Sequence, residues 1–130
     1  SEIYRVSSEY ELKMLGCDPY LSRMLTQRVM KNDIAVAEIP QDMKNMSPAM
    51  KKIEELLLKE ELQHEKNPCA RWCFGNIRVA TDGNENLKPM KNKSVGRIDV
   101  TVAWIIAMAT AMLNEVTSLN DRINSEEWSL

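Results

Sequence analysis

Two short apolar runs with a helix-length segment between them constrain this chain more than any other feature. Residues 12–17 read as a buried strand. Pro19 then starts a helix, because its fixed φ and missing N–H suit a first turn. Leu21, Met24, Leu25 and Val29 follow at helical spacing, and Asn32-Asp33 ends the segment. Residues 34–39 form a second β-type run, closed by Pro40. A helix of about a dozen residues between two strands leaves those strands parallel, with a right-handed crossover. The spacing therefore predicts an α/β fold containing a βαβ unit, with residues 2–10 ahead of it as a short helix or frayed end.

The rest of the chain is punctuated by turn residues. Residues 41–46 read as a linking loop. Ser47-Pro48 is a helix start, with Ser as N-cap and Pro at the first helical position. Ala49, Ile53, Leu56 and Leu57 then make one apolar stripe on a helix ending near Glu61. Asn67-Pro68 opens a short helix through Trp72. Ile77-Arg78-Val79 reads as a strand, Asp82-Gly83-Asn84 as a turn, and residues 86–89 as the return strand of a β-hairpin. A final helix over 97–116 carries the longest apolar run, 100–113, and the tail from Thr117 is polar and loose. As a helix that run spans roughly 21 Å, short of the roughly 30 Å bilayer core. It reads as a buried core helix and not as a membrane span.

Composition narrows the function classes. At 130 residues the chain is one domain or a piece of a larger protein, and its first residue, Ser, points to a missing start. A net charge of −2 does not exclude a local basic strip. Three cysteines, with no charged-then-apolar leader, disfavour a disulfide framework and make a reducing cytosol the default. No Gly-rich phosphate loop and no GxSxG elbow is present, which disfavours an ATPase or a serine hydrolase.

Two carboxylates carry the candidate chemistry. Asp18 follows the first strand of the βαβ unit, and ligands of open α/β sheets collect outside the carboxyl ends of strands. Asp99 sits at the head of the apolar run, where an unpartnered buried carboxylate is expensive. Either acid is equally explained as a helix cap or a first-turn charge. If the two converge they repel, unless a cation lies between them. Oxygen ligands suit Mg²⁺ or Mn²⁺. Two such ions about 4 Å apart clamp the attacking and leaving oxygens of a phosphodiester. The basic strip Lys88, Lys91, Lys93 and Arg97 precedes Asp99 and suits a phosphate backbone, although four spaced cations also suit a solvated loop. A rival set is zinc held by His64, Cys69, Cys73 and Cys17, whose spacing matches no tight CxxC knuckle.

The ordered set Asn67-Pro68-Cys69-Ala70-Arg71-Trp72, Asn76, Asp82-Gly83-Asn84-Glu85-Asn86-Leu87-Lys88-Pro89, Lys91-Asn92-Lys93-Ser94 and Arg97-Ile98-Asp99 resembles the carboxyl-terminal part of tailed-phage terminase large subunits. Upstream, Cys17-Asp18-Pro19-Tyr20 looks like that family's acid-Asp-Pro-aromatic strand end, and Met46-Ser47-Pro48 like the start of its next helix. The likeness runs from about residue 10 to 116. It implies an RNase H-like nuclease domain that cuts concatemeric viral DNA with divalent metals held by three acids. Two of these map to Asp18 and Asp99. The first acid and the ATPase domain are expected to lie outside this chain, since Glu2, Glu9 and Glu11 occupy no convincing strand. Gly16-Cys17 before the acid and Met90 depart from the pattern.

The resemblance thus implies a partial RNase H-like nuclease domain over 1–116, with 117–130 as a polar tail. The implied partners are double-stranded DNA, a small terminase subunit and a portal, in the cytoplasm of a bacterial host, with no membrane. An incomplete sheet leaves an open edge, so a homo-oligomer is also expected. The alternative is a non-enzymatic assembly module whose acids are only helix caps.

Overall fold

The computed structural model describes residues 2–20, 22–31, 33–63, 67–76, 79–89 and 98–127. They divide into two compact units, residues 1–38 with 110–130, and residues 39–109.

The first unit holds α1 (Glu2–Glu9), β1 (Leu15–Cys17), α2 (Arg23–Met30) and β2 (Val36–Glu38). β1 and β2 pair in parallel, with Leu15 opposite Val36, Gly16 opposite Ala37 and Cys17 opposite Glu38. This is the expected βαβ unit with shorter strands. β1 is half-buried along its length, not fully buried. In β2 the buried residue is Ala37, and Ile34 just before the strand is buried as well. α2 begins at Arg23, four residues later than Pro19 suggests. The Asp18 carboxylate accepts the Tyr20 amide at 2.8 Å, and this Asx turn holds Pro19-Tyr20 outside the helix. Val29 packs inward, 2% exposed. Asp33, in the left-handed region at φ 59°, reverses the chain towards β2.

The second unit contains α3 (Met43–Leu58), α4 (Pro68–Asn76), β3 (Val79–Thr81) and β4 (Leu87–Pro89). α3 starts one turn earlier than Ser47-Pro48 predicts. Asp42 is the N-cap, its side chain accepting the Asn45 amide at 2.9 Å. Ser47 and Pro48 lie in the second turn, where Pro48 costs a backbone hydrogen bond. Met46, Ser47, Ala49 and Ile53 form the buried face of α3. The Ser47 hydroxyl accepts the Leu87 amide at 2.9 Å, tying β4 to α3 across 40 residues. α4 starts at Pro68 as expected, and Asn67 accepts the Cys69 amide at 2.8 Å.

β3 and β4 form an antiparallel hairpin, with Ala80 opposite Lys88 and Thr81 opposite Leu87. The sequence places its first strand at 77–79; the strand is seen at Val79–Thr81, and Ile77 and Arg78 lie outside the described residues. The Asp82 carboxylate organises the hairpin turn. One oxygen accepts the amides of Asn84 and Asn86, each at 2.9 Å, and the other accepts the Asn86 side chain at 3.0 Å. The Asn86 side-chain amide, then its backbone amide, holds the Asp82 carboxyl below its ordinary value of 3.8. Because the folded-state value is depressed, this contribution is complete above 3.8 and fades as pH falls through the lower folded value. Amide-exchange protection at Asn84 and Asn86 is therefore expected to fall on acidification below 3.8 in the wild type. Asp82→Asn should flatten that dependence; an unchanged profile would mean that the carboxylate does not organise the turn.

The last helix, α5 (Asp99–Glu127), gives residues up to Ala109 to the second unit and the remainder to the first. It is 29 residues long, roughly 44 Å, and overruns the expected stop at 116. Of the described residues in it, the buried ones, Thr101, Val102, Ile105 and Thr110, all lie in its N-terminal half, just after the buried Ile98. By length and composition alone, Asp99–Asn124 is apolar enough to cross a bilayer.

Candidate functional site

Parallel pairing brings the carboxyl ends of β1 and β2 to one edge of the first unit, and the chain there is rich in oxygen. Asp18 follows the last residue of β1 and is half-buried. The Tyr20 amide fixes one of its carboxylate oxygens, while the Tyr20 side chain is 92% exposed. The buried Ser22 hydroxyl lies 3.2 Å from both the Pro19 carbonyl and Glu38 Oε1, so its single proton serves one acceptor at a time. Glu38 is a second carboxylate at the same strand ends, in register with Cys17. Sequence patterning alone does not single it out. Its signal was an acid between Ala37 and Ile39, at a position where the strand alternation turns outward.

Asp99 stands differently from the expectation. It is exposed, so no burial cost attaches to its charge. It is the first residue of α5, directly after Ile98, whose carbonyl accepts the Val102 amide at 2.9 Å. An acid in the first turn of a helix is a common structural choice. Asp18 belongs to the first unit and Asp99 to the second. Within neither unit do three or more His, Cys, Asp or Glu side chains of the described residues form a metal-ligand cluster. The donors themselves fit a hard cation, because carboxylate oxygens suit Mg²⁺ or Mn²⁺ and not a soft metal.

The remaining candidates divide by position. Lys88 is in β4, opposite Ala80. Lys91, Lys93 and Arg97 lie outside the described residues, as does His64. Of the cysteines proposed for zinc, Cys17 in the first unit donates its thiol to the Ala37 carbonyl at 3.7 Å. Cys69 is exposed on α4 in the second unit, and Cys73 belongs to the same helix.

Residues 2–115 match the family described as terminase large subunit, endonuclease domain. The chain is 35% identical to protein YmfN of Escherichia coli K12 over 111 residues, covering 83% of this chain and 24% of that protein. It is 33% identical to the terminase large subunit of Enterobacteria phage HK97 over 78 residues, covering 60% of this chain and 16% of that protein. The crystal structure of the HK97 large terminase matches with a TM-score of 0.74 at 25% identity, over 83% of this chain and 23% of that one. The match bears out the expected partial RNase H-like α/β fold. The chain spans a quarter or less of the length of these relatives.

Proposed function

Since this chain belongs to the terminase large subunit endonuclease domain family, we propose that it is the distal part of a metal-dependent endonuclease domain that cuts concatemeric DNA during genome packaging. The observation that carries the reading is Asp18. It stands half-buried at the carboxyl end of a parallel strand, where ligands of open α/β sheets collect, and the Tyr20 amide orients its carboxylate.

Asp18 and Asp99 would hold Mg²⁺ or Mn²⁺, joined by a third acid from elsewhere in the longer protein. When bound, such ions supply positive charge to the attacking and leaving oxygens of a phosphodiester. Lys88, Lys91, Lys93 and Arg97 hold the phosphates of the duplex without reading its sequence. Two acids grip a cation less firmly than three, so this chain alone is a weak nuclease at best. Double-stranded DNA is the substrate. A small terminase subunit and a portal are the partners of the whole protein, in the cytoplasm of a bacterial host.

The assembly-module reading draws support from one feature. Both acids have a local role already, Asp18 on the Tyr20 amide and Asp99 in the first turn of α5. Isothermal titration of Mn²⁺ separates the two readings. Wild type is expected to give a saturable heat, and Asp99→Ala to weaken it by at least about tenfold, the lower end of the loss seen even for outer-shell partners. Equal heats in the two proteins would remove the metal role and leave the module.

A further inference from the structure

Ser22 holds the N-cap position of α2 and does not cap it. Its backbone is already helical, at φ −88° and ψ −23°, and among the described residues its hydroxyl bonds to no amide of α2. A serine in that place ordinarily turns its oxygen to the second or third amide of its own helix. Here the hydroxyl serves the strand ends instead, 3.2 Å from the Pro19 carbonyl and 3.2 Å from Glu38 Oε1. Ser22 is buried, so leaving this hydroxyl without an acceptor is costly. Of its two acceptors the Glu38 carboxylate is the stronger, because a charged partner roughly doubles a hydrogen bond.

These contacts close the turn that carries Asp18. At one end the Asp18 carboxylate accepts the Tyr20 amide, and at the other Ser22 reaches back to the Pro19 carbonyl. Each of those bonds joins the turn only to itself. The Ser22–Glu38 bond joins it to β2, across 16 residues. Glu38 stands opposite Cys17, the residue just before Asp18, so both feet of the turn rest on one pair of strand ends. Glu38 is also exposed, and the bond is therefore no by-product of burying its charge. We propose that Ser22 and Glu38 are positioning residues for Asp18. Their hydrogen bond holds the 18–22 turn against β2 and so sets the direction of the Asp18 carboxylate. The consequence for metal binding rests on reading Asp18 as a metal-holding acid.

Amide hydrogen exchange followed by NMR reads the turn without metal, and Mn²⁺ titration reads the consequence. Glu38→Ala is expected to speed exchange of the Tyr20 amide by about tenfold. The Leu15 amide, bonded to the Ala35 carbonyl at 2.8 Å beside the same strands, should keep its rate. Glu38→Gln removes the same charge but keeps an acceptor for Ser22, so Tyr20 should exchange as in wild type. Mn²⁺ affinity should follow. Glu38→Ala is expected to bind about tenfold more weakly than Glu38→Gln, and Ser22→Ala about tenfold more weakly than wild type, the lower end for partners outside the ligand shell. Equal Tyr20 rates in Glu38→Ala and Glu38→Gln overturn the proposal, as does an equal rise at Leu15. A Glu38→Gln variant that loses Mn²⁺ as fully as Glu38→Ala, with Tyr20 still protected, makes Glu38 a ligand and overturns it too. A wild type with no saturable Mn²⁺ heat but the expected order of Tyr20 rates sinks the metal reading of Asp18 and supports the positioning role.

Discussion

Met46→Ala is expected to lower the free energy of unfolding by about 2–5 kcal/mol, the range for truncating a fully buried large aliphatic side chain. Met46 is 0% exposed and stands on the buried face of α3 with Ala49 and Ile53, against which β4 packs. Losing its thioether arm removes the transfer free energy and also leaves a void, since close-packed surroundings relax only in part. The neighbouring Ser47→Ala acts by another route. It leaves the Leu87 amide, now on the Ser47 hydroxyl at 2.9 Å, without its acceptor, at a cost of about 1–3 kcal/mol. Because both residues fix β4 to α3, the double variant should deviate from additivity. Leu58→Ala, at a position 79% exposed on the same helix, is the control and should fall within about 0.5 kcal/mol of wild type. Urea unfolding followed by circular dichroism reads all four. A Met46→Ala midpoint equal to that of Leu58→Ala would show that α3 does not anchor the second unit.

These two residues also mark where the sequence was legible and where it was not. The apolar stripe of α3 was visible because Ala49 and Ile53 repeat at helical spacing, and both are buried. The start of the helix was misread because Ser47-Pro48 satisfies the local rules for a beginning, and those rules are blind to tertiary partners. Asp42 caps one turn upstream, and Ser47 is drawn into the helix by the Leu87 amide, 40 residues away. At Pro19 the competing local chemistry was the Asx turn from Asp18 to Tyr20, shorter in range than the helix signal it displaced. The βαβ unit was readable because its two apolar runs are separated by a single helix length. The end of α5 was not, because Thr117, Ser118 and Asn120 mark the polar surface of an amphipathic helix as readily as a loop. At the site, Asp18 was visible as a strand-end acid. Glu38 was not, since a single outward acid in a short strand is the ordinary solvent-facing position.

Replacing Lys91, Lys93 and Arg97 together by Ala is expected to weaken duplex DNA binding by roughly 500-fold at about 0.1 M salt, if each holds one phosphate. The size follows from counterion release. Each phosphate contact scales affinity with about the 0.9 power of salt, so three contacts carry a slope of about 2.7 in log affinity against log salt. Lys88 is the one cation of the strip left in place, and the net charge of −2 gives no general attraction to replace the three lost contacts. The loss should be the same on duplexes of unrelated sequence, since lysine-to-phosphate contacts position DNA without reading it. Fluorescence anisotropy of a labelled duplex across a salt series measures the slope directly. Asp99→Asn makes the informative companion. Without metal it should bind DNA at least as tightly as wild type, since it removes a negative charge next to the strip. In Mn²⁺ the wild type is expected to bind DNA more tightly, and Asp99→Asn to lack that gain. A triple variant that keeps the wild-type salt slope would take the phosphates away from this strip, and with them the physical reason for setting Asp99 beside it.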